Sequence, residues 1–127
     1  MNPVVRARLA KALLWVGLVA TDSAAQLLFK AAALTLPGPR PDWQWVGMVT
    51  RAWQVWAAMG CLLLTFLQWM LILRGTRLAT AFPMTALTFI GVLAGAWWFF
   101  GENASIVQCA GVLLIVVGVT LLKPLDA

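Results

Sequence analysis

The chain has 127 residues, of which 63% are apolar and only 10% are charged, and it contains neither histidine nor tyrosine. Soluble domains average roughly 45–50% apolar and about 25% charged residues, so this composition excludes a water-soluble fold. The net charge of +5 would suit nucleic acid. The basic residues, however, cluster at the ends of apolar runs rather than along one face, so we reject nucleic-acid binding.

The sequence predicts no metal site and no cofactor. Its two cysteines, Cys61 and Cys109, each lie inside an apolar run. Without histidine, two isolated cysteines cannot complete a four-ligand metal site. We interpret both as small apolar packing residues rather than as a disulfide.

Four apolar runs can be drawn, at about residues 9–36, 55–73, 78–100 and 104–122. Each is near or above the ~20 residues that a helix needs to cross the hydrocarbon core. Since the runs show no strict alternation of apolar and polar residues, a β-barrel is disfavoured. The chain is therefore predicted to be an all-α integral membrane protein, with one domain over residues 1–127 and four transmembrane helices in a small bundle.

The breaks between the runs have the composition of turns. A proline-rich segment covers residues 37–42, and residues 74–77 read Arg-Gly-Thr-Arg. Residues 101–103 separate the third and fourth runs, and Asn103 is predicted as the N-cap of the fourth helix. Lys123 and the following proline end the fourth run.

A short segment before the second run has helical spacing of its own. Trp45, Val49 and Trp53 recur at this spacing among polar residues. The pattern is typical of a short helix lying in the membrane interface, or of an extended end of the second span with an aromatic belt. The sequence leaves both interpretations open.

Basic residues predict the orientation. An even number of spans places both termini on one side, and that side has the excess of lysine and arginine, which predicts cytoplasmic termini in a bacterial inner membrane. A signal peptide cleaved near residues 23–25 is disfavoured, because the apolar stretch resumes at Leu27. The side with the termini carries Arg6, Arg8, Lys11, Arg74, Arg77 and Lys123, and the other side carries Lys30, Arg40 and Arg51.

Polar residues in the first run form the strongest functional signal. Asp22, Gln26 and Lys30 are spaced i, i+4 and i+8, so they lie on one face of a helix. Asp22 is expected about 15 Å into the bilayer, and ionisable groups at that depth are costly and usually functional. We predict a substrate-binding face of a membrane transporter. The alternatives are an Asp–Lys tether that only holds the bundle together, and a Lys30 side chain that reaches the interface.

Several residues outside the first run are also candidates. Pro83 removes one backbone hydrogen bond and is expected to kink the third helix, where Thr85 could line a cavity. Gly111 and Gly118 are seven apart, which predicts a close packing seam within or between chains. Glu102 is expected to interact with the N-terminus of the fourth helix.

These features together resemble the drug/metabolite transporter superfamily, and more narrowly its four-helix members. The residues that carry the resemblance are 81–89, 99–102 and 111–119. One branch, the small multidrug resistance family, has a carboxylate eight residues before a lysine in its first helix, as Asp22 and Lys30 are here. That branch usually has glutamate at this position. Its Trp-Ser-Gly motif in the third helix is missing here.

The other branch comprises the small subunits of the undecaprenyl-phosphate aminoarabinose flippase and similar lipid-linked sugar flippases. Gln26 and Lys30, residues 81–84 and the longer first loop resemble this branch. Asp22 is the departure, because a mid-helix aspartate is not a fixed part of that pattern.

The resemblance implies a transporter rather than an enzyme, assembled as a homodimer or as a heterodimer with a similar four-helix subunit. In the first hypothesis the chain flips a lipid-linked sugar: Arg74 and Arg77 attract the lipid phosphate, Asp22 and Gln26 hold the sugar, and Lys30 meets the phosphate near the outer side. The alternatives are a proton-coupled exporter of cationic amphiphilic drugs that works through Asp22, and an accessory subunit without a transport path.

Overall fold

The computed structural model describes residues 2–122, and every regular element in that range is an α-helix. The predicted all-α class is therefore confirmed, while Lys123 lies outside the described residues. The helices are α1 (Pro3–Thr35), α2 (Trp43–Arg51), α3 (Trp53–Leu73), α4 (Leu78–Thr85), α5 (Thr88–Phe100) and α6 (Ile106–Leu122).

Within residues 2–122, three helical segments are long and apolar enough to cross a membrane. They are Pro3–Thr35, Trp53–Leu73 and the combined segment Leu78–Phe100. The fourth predicted span corresponds to α6, which has 17 residues and is therefore only about 25 Å long at 1.5 Å per residue. The chain is a multi-pass membrane protein, and the fourth crossing stays a prediction.

Helix α1 begins at Pro3, two turns before the apolar run. The side chain of Asn2 accepts a hydrogen bond from the backbone N–H of Val4, and Pro3 occupies the first helical turn. Both features favour helix initiation. The early start places Arg6, Arg8 and Lys11 on exposed turns of α1.

Helix α2 is separate from α3. This agrees with the prediction of a short helix before the second span, and not with an extended end of that span. Ala52 has an extended backbone (φ −72°, ψ 113°) and interrupts the helix. The indole N–H of Trp56 donates to the carbonyl of Thr50 at 2.7 Å. This bond satisfies a carbonyl at the end of α2, where no intrahelical partner is available. Its position in a membrane interface stays a prediction.

The third apolar run is divided into α4 and α5 at Ala86–Leu87. Pro83 lies inside α4, and the interruption follows it by one turn. The N–H groups of Ala86 and Leu87 donate to the carbonyls of Pro83 and Met84 at 3.1 and 3.2 Å, which is the tighter i→i+3 pattern. The distortion thus follows Pro83, whereas the missing N–H of a proline predicts a distortion in the turn before it.

Helix α6 begins at Ile106, and its N-cap is Ser105 rather than Asn103. The hydroxyl of Ser105 accepts from the N–H of Gln108 at 3.2 Å, and the Gln108 side chain accepts from the N–H of Ser105 at 2.9 Å. This reciprocal pair is a capping box. The prediction for Asn103 was wrong because a Ser-x-x-Gln pattern two residues later satisfies two backbone donors.

Helix α1 packs against α3 through hydrogen-bonded polar side chains. The hydroxyl of Thr21 lies 2.8 Å from the side-chain oxygen of Gln68, and the hydroxyl of Thr65 donates to that of Thr21 at 2.9 Å. Gly17 leaves room for the amide of Gln68, which would lie 2.8 Å from a Cβ at this position. Polar pairs of this kind join helices where lipid offers no partner.

Helix α1 packs against α5 through two glycines. A Cβ at Gly91 would lie 2.3 Å from the hydroxyl of Ser23, and one at Gly95 would lie 2.3 Å from a methyl group of Leu27. Gly91 and Gly95 form a Gly-x-x-x-Gly pattern, which lets helices approach closely in membranes. Ser23 donates to the carbonyl of Thr88 at 3.4 Å across the same contact.

Helix α6 is peripheral, since none of its residues is buried. A Cβ added at Gly111 or at Gly118 would meet no atom within 4 Å. These glycines therefore do not mediate close packing within the described part of the chain. The predicted seam remains a hypothesis for contact between chains.

Replacing Gly91 with alanine is expected to destabilise the bundle by about 1–3 kcal/mol, because the new methyl group forces α1 and α5 apart. Thermal unfolding of the purified protein in detergent micelles measures this effect. Gly60→Ala is the matched control, since a Cβ there meets no atom within 4 Å and alanine favours a helix. Equal unfolding temperatures for the two variants would contradict the close α1–α5 contact.

Thr21→Val and Gln68→Met are expected to be coupled, because either change removes the Thr21–Gln68 hydrogen bond between α1 and α3. A double-mutant cycle on unfolding in micelles measures the coupling, which we expect at about 0.5–1.5 kcal/mol. The pair Thr21→Val and Thr120→Val serves as the control, because Thr120 donates to the carbonyl of Val117 in its own helix. Additive effects of Thr21→Val and Gln68→Met on stability would contradict the hydrogen bond between these two side chains.

Candidate functional site

An open cleft of about 390 Å³ lies between α1, α5 and α6. Its walls are largely apolar, and include Val92 and Leu93 of α5 and Ile115 of α6. Four side chains bring polar or charged groups into this surface: Gln26, Lys30, Glu102 and Gln108. Within the described residues, this is where the predicted polar face of α1 meets charged and amide groups from elsewhere in the chain.

Lys30 and Glu102 form an ion pair at this cleft. The Lys30 ammonium also lies 5.2 Å from the centre of the Phe100 ring, which is within the range of a cation–π contact. The Lys30 and Glu102 side chains are 35% and 54% exposed, so both charges remain accessible.

The position of Glu102 depends on Gly101. Gly101 has φ 63° and ψ 22°, a left-handed conformation that ends α5 and turns the chain toward α6. Glycine adopts it without a steric penalty, which makes it a common helix terminator. The carboxylate of Glu102 is thereby placed beside Lys30, which lies five residues before the end of α1. Glu102 lies four residues before the start of α6. The sequence predicted an interaction of Glu102 with the N-terminus of this helix, but its charged partner in the structure is the Lys30 side chain.

The predicted row on α1 is only partly contained in the cleft. Gln26 and Lys30 line it, whereas Asp22, one turn closer to the N-terminus, is half-buried and does not. Among the residues that the structure describes, the Asp22 carboxylate makes no hydrogen bond or ion pair. Lys30 pairs with Glu102 and not with Asp22, so the proposed Asp–Lys tether is replaced by a different ion pair.

Of the remaining predicted residues, Arg74, Arg77 and Thr85 lie outside the cleft. Arg74 and Arg77 are exposed in the loop between α3 and α4, at the opposite end of the bundle from Lys30. The intervening Leu78–Phe100 segment has 23 residues and spans about 34 Å at 1.5 Å per residue. The hydroxyl of Thr85 donates to the carbonyl of Phe82 at 2.6 Å, so it serves its own helix, while Gly111 lines the cleft.

Sequence reasoning did not identify Glu102 and Gln108 as site residues. A topological signal for Glu102 was present, because an up-and-down arrangement of spans puts residues 30 and 102 at the same end of the bundle. For Gln108 the sequence contained no comparable indication. Its side-chain oxygen accepts from the N–H of Ser105 in the cap of α6, so its position in the chain is explained by capping alone. The described residues contain no group of histidine, cysteine or acidic side chains that could hold a metal ion.

This arrangement is suited to an amphiphile with a charged headgroup. The cleft offers one cation, one anion and two amides, with apolar surface beside them. Charges and amides can hold a polar headgroup, while apolar walls accept the adjoining chain.

Comparison with known proteins gives a consistent set of relatives. No family model and no solved structure matches the chain. A protein from Pseudomonas aeruginosa PAO1 is 38% identical over 78 residues, covering 61% of this chain and 67% of the relative. One from Erwinia tasmaniensis is 32% identical over 99 residues (78% and 83%), and one from Enterobacter sp. 638 is 35% identical over 74 residues (57% and 68%).

All three relatives carry the name "Probable 4-amino-4-deoxy-L-arabinose-phosphoundecaprenol flippase subunit ArnE". They are transporter subunits and not enzymes, which confirms the resemblance to the lipid-linked sugar branch and disfavours the drug-exporter alternative. With this identity over two thirds or more of these relatives, the chain belongs to the ArnE family of flippase subunits.

Proposed function

We propose that this chain is one subunit of a flippase that moves an undecaprenyl-phosphate-linked sugar across the bacterial inner membrane. The observation that carries the proposal is the cleft, in which Gln26, Lys30 and Glu102 face an otherwise largely apolar surface. The membership of the ArnE family supports the same substrate class.

The headgroup meets charged residues at both ends of its path. Arg74 and Arg77 attract the lipid phosphate at the inner face, where the excess of basic residues predicts the cytoplasm. Lys30 meets the phosphate near the outer face. Between them, Asp22 and Gln26 hold the polar sugar at mid-membrane. The lipid tail stays among apolar surfaces, so few polar groups are needed.

A second subunit completes the path. The cleft is open and α6 buries none of its residues, so one chain does not enclose a headgroup. Gly111 and Gly118 leave open space on α6, which suits a close approach by a similar four-helix subunit. The short α6 is the fourth span, and both termini lie in the cytoplasm.

Lys30→Gln is expected to slow flipping about tenfold, because loss of a charge-assisted bond to phosphate costs roughly one to two kcal/mol. The full chain, with its co-purifying partner, is placed in liposomes that contain undecaprenyl phosphate-4-amino-4-deoxy-L-arabinose. A membrane-impermeant amine reagent then reports the rate at which the inner pool reaches the outside. Arg77→Gln and Asp22→Asn are expected to slow the same rate.

Arg40→Gln is the matched control, since Arg40 is exposed in the proline-rich loop and does not line the cleft. Its flipping rate is expected to equal that of the wild type. Absence of flipping by the wild-type complex would overturn the proposal, as would equal rates for Lys30→Gln and Arg40→Gln. Resistance to quaternary ammonium compounds, lost with Asp22→Asn, would instead support a drug exporter.

A further inference from the structure

We propose that Glu102 makes this site selective for lipids whose headgroup carries an amine as well as a phosphate. The inference rests on the proposed function, and it assigns to Glu102 the recognition of the amine. In this account the Lys30–Glu102 ion pair is the resting state of a site that is complementary to a headgroup with two opposite charges.

Lys30 and Glu102 can each exchange the other for a charged group of the substrate. They contact each other at the cleft, yet about a third of the Lys30 side chain and half of that of Glu102 remain exposed. Partly exposed ion pairs contribute little net stability, so an incoming headgroup separates this pair at small cost. Gln26 and Gln108 line the same cleft and supply amide donors and acceptors beside it.

A headgroup with both charges leaves no charge unpaired after the exchange. Its phosphate takes the place of Glu102 beside Lys30, and its ammonium takes the place of Lys30 beside Glu102. The Phe100 ring continues to face the lysine ammonium. Because each protein charge gains an opposite charge for the one it loses, this matched exchange is more favourable than an exchange that leaves either Lys30 or Glu102 without a partner.

A headgroup without an amine is rejected by the same residue. Its phosphate competes for Lys30 and leaves the Glu102 carboxylate without a cation, next to a second negative group. Selectivity often depends on such a repulsive element in addition to an attractive contact. Asp22 does not line the cleft, so Glu102 is the carboxylate that the headgroup meets together with Lys30.

The test compares two probes in liposomes that hold the full chain and its co-purifying partner. One probe is undecaprenyl phosphate-4-amino-4-deoxy-L-arabinose, and the other is undecaprenyl phosphate-arabinose with a hydroxyl in place of the amine. Both sugars carry a vicinal diol, so impermeant periodate reports the flipping of either. We expect the wild type to prefer the amino probe by about tenfold or more, and Glu102→Gln to reduce this ratio to near one.

The controls separate selectivity from folding. Asp42→Asn removes an exposed carboxylate at the same end of the bundle and is expected to keep the wild-type ratio. Glu102→Asp retains a carboxylate and is expected to restore the preference. If Glu102→Gln does not accumulate, the double variant Lys30→Gln/Glu102→Gln leaves no unpaired charge, and it is also expected to show a ratio near one.

The outcomes are distinct. A wild type that flips neither probe contradicts the proposed function itself. A wild type that flips both probes equally overturns this inference and leaves the proposed function standing. A preference for the amino probe that survives in Glu102→Gln or in the double variant also overturns it, since the amine is then recognised elsewhere.

Discussion

The rotational setting of helix α1 is the constraint on which the rest of the structure depends. On one side, Thr21 is hydrogen-bonded to Thr65 and Gln68 of α3. On another, Gly91 and Gly95 of α5 admit side chains of α1 at close range. A shift of one residue would rotate the side chains of α1 by about 100°. The two contacts together therefore fix which residues of α1 reach the cleft.

Polar side chains in this chain serve two separable purposes. Thr21 and Gln68 bond to each other, and Thr85 and Thr120 bond to carbonyls of their own helices. These groups are satisfied within the protein, as lipid surroundings require. Gln26, Lys30 and Glu102, by contrast, present polar groups to an open cleft. Accessibility, and not polarity alone, identifies the groups that are free to meet a headgroup.

The sequence predicted the helical elements well because hydropathy depends on local composition. The boundaries depended on particular side chains that composition does not reveal. The break at Ala52 is accompanied by the Trp56 indole bonded to Thr50, and the start of α6 depends on the Ser105 capping box. Indole and capping bonds are matters of side-chain geometry, and several competing partners were possible at each position.

The candidate site was predicted less completely, because it depends on contacts between distant residues. The i, i+4, i+8 spacing correctly placed Gln26 and Lys30 on one surface, but it could not determine where Asp22 lies relative to the cleft. The spacing of the glycines likewise could not show which of them contact another helix. Gly111 and Gly118 suggested a seam, while Gly91 and Gly95 make the close contact within the chain. Spacing shows which residues share a face, and only the packing of neighbouring helices shows what that face meets.

Thiol accessibility along α1 tests most directly whether its polar face lines a path for a headgroup. Single cysteines at positions 22, 26 and 16 are introduced with Cys61 and Cys109 replaced by alanine, and a charged, membrane-impermeant thiol reagent is applied. We expect positions 22 and 26 to react, because the proposed function places both on the path of the headgroup, and position 16, an exposed valine on the apolar side of α1, to remain unreactive. Equal protection at all three positions would contradict the account, since the polar face would then contact lipid or packed protein.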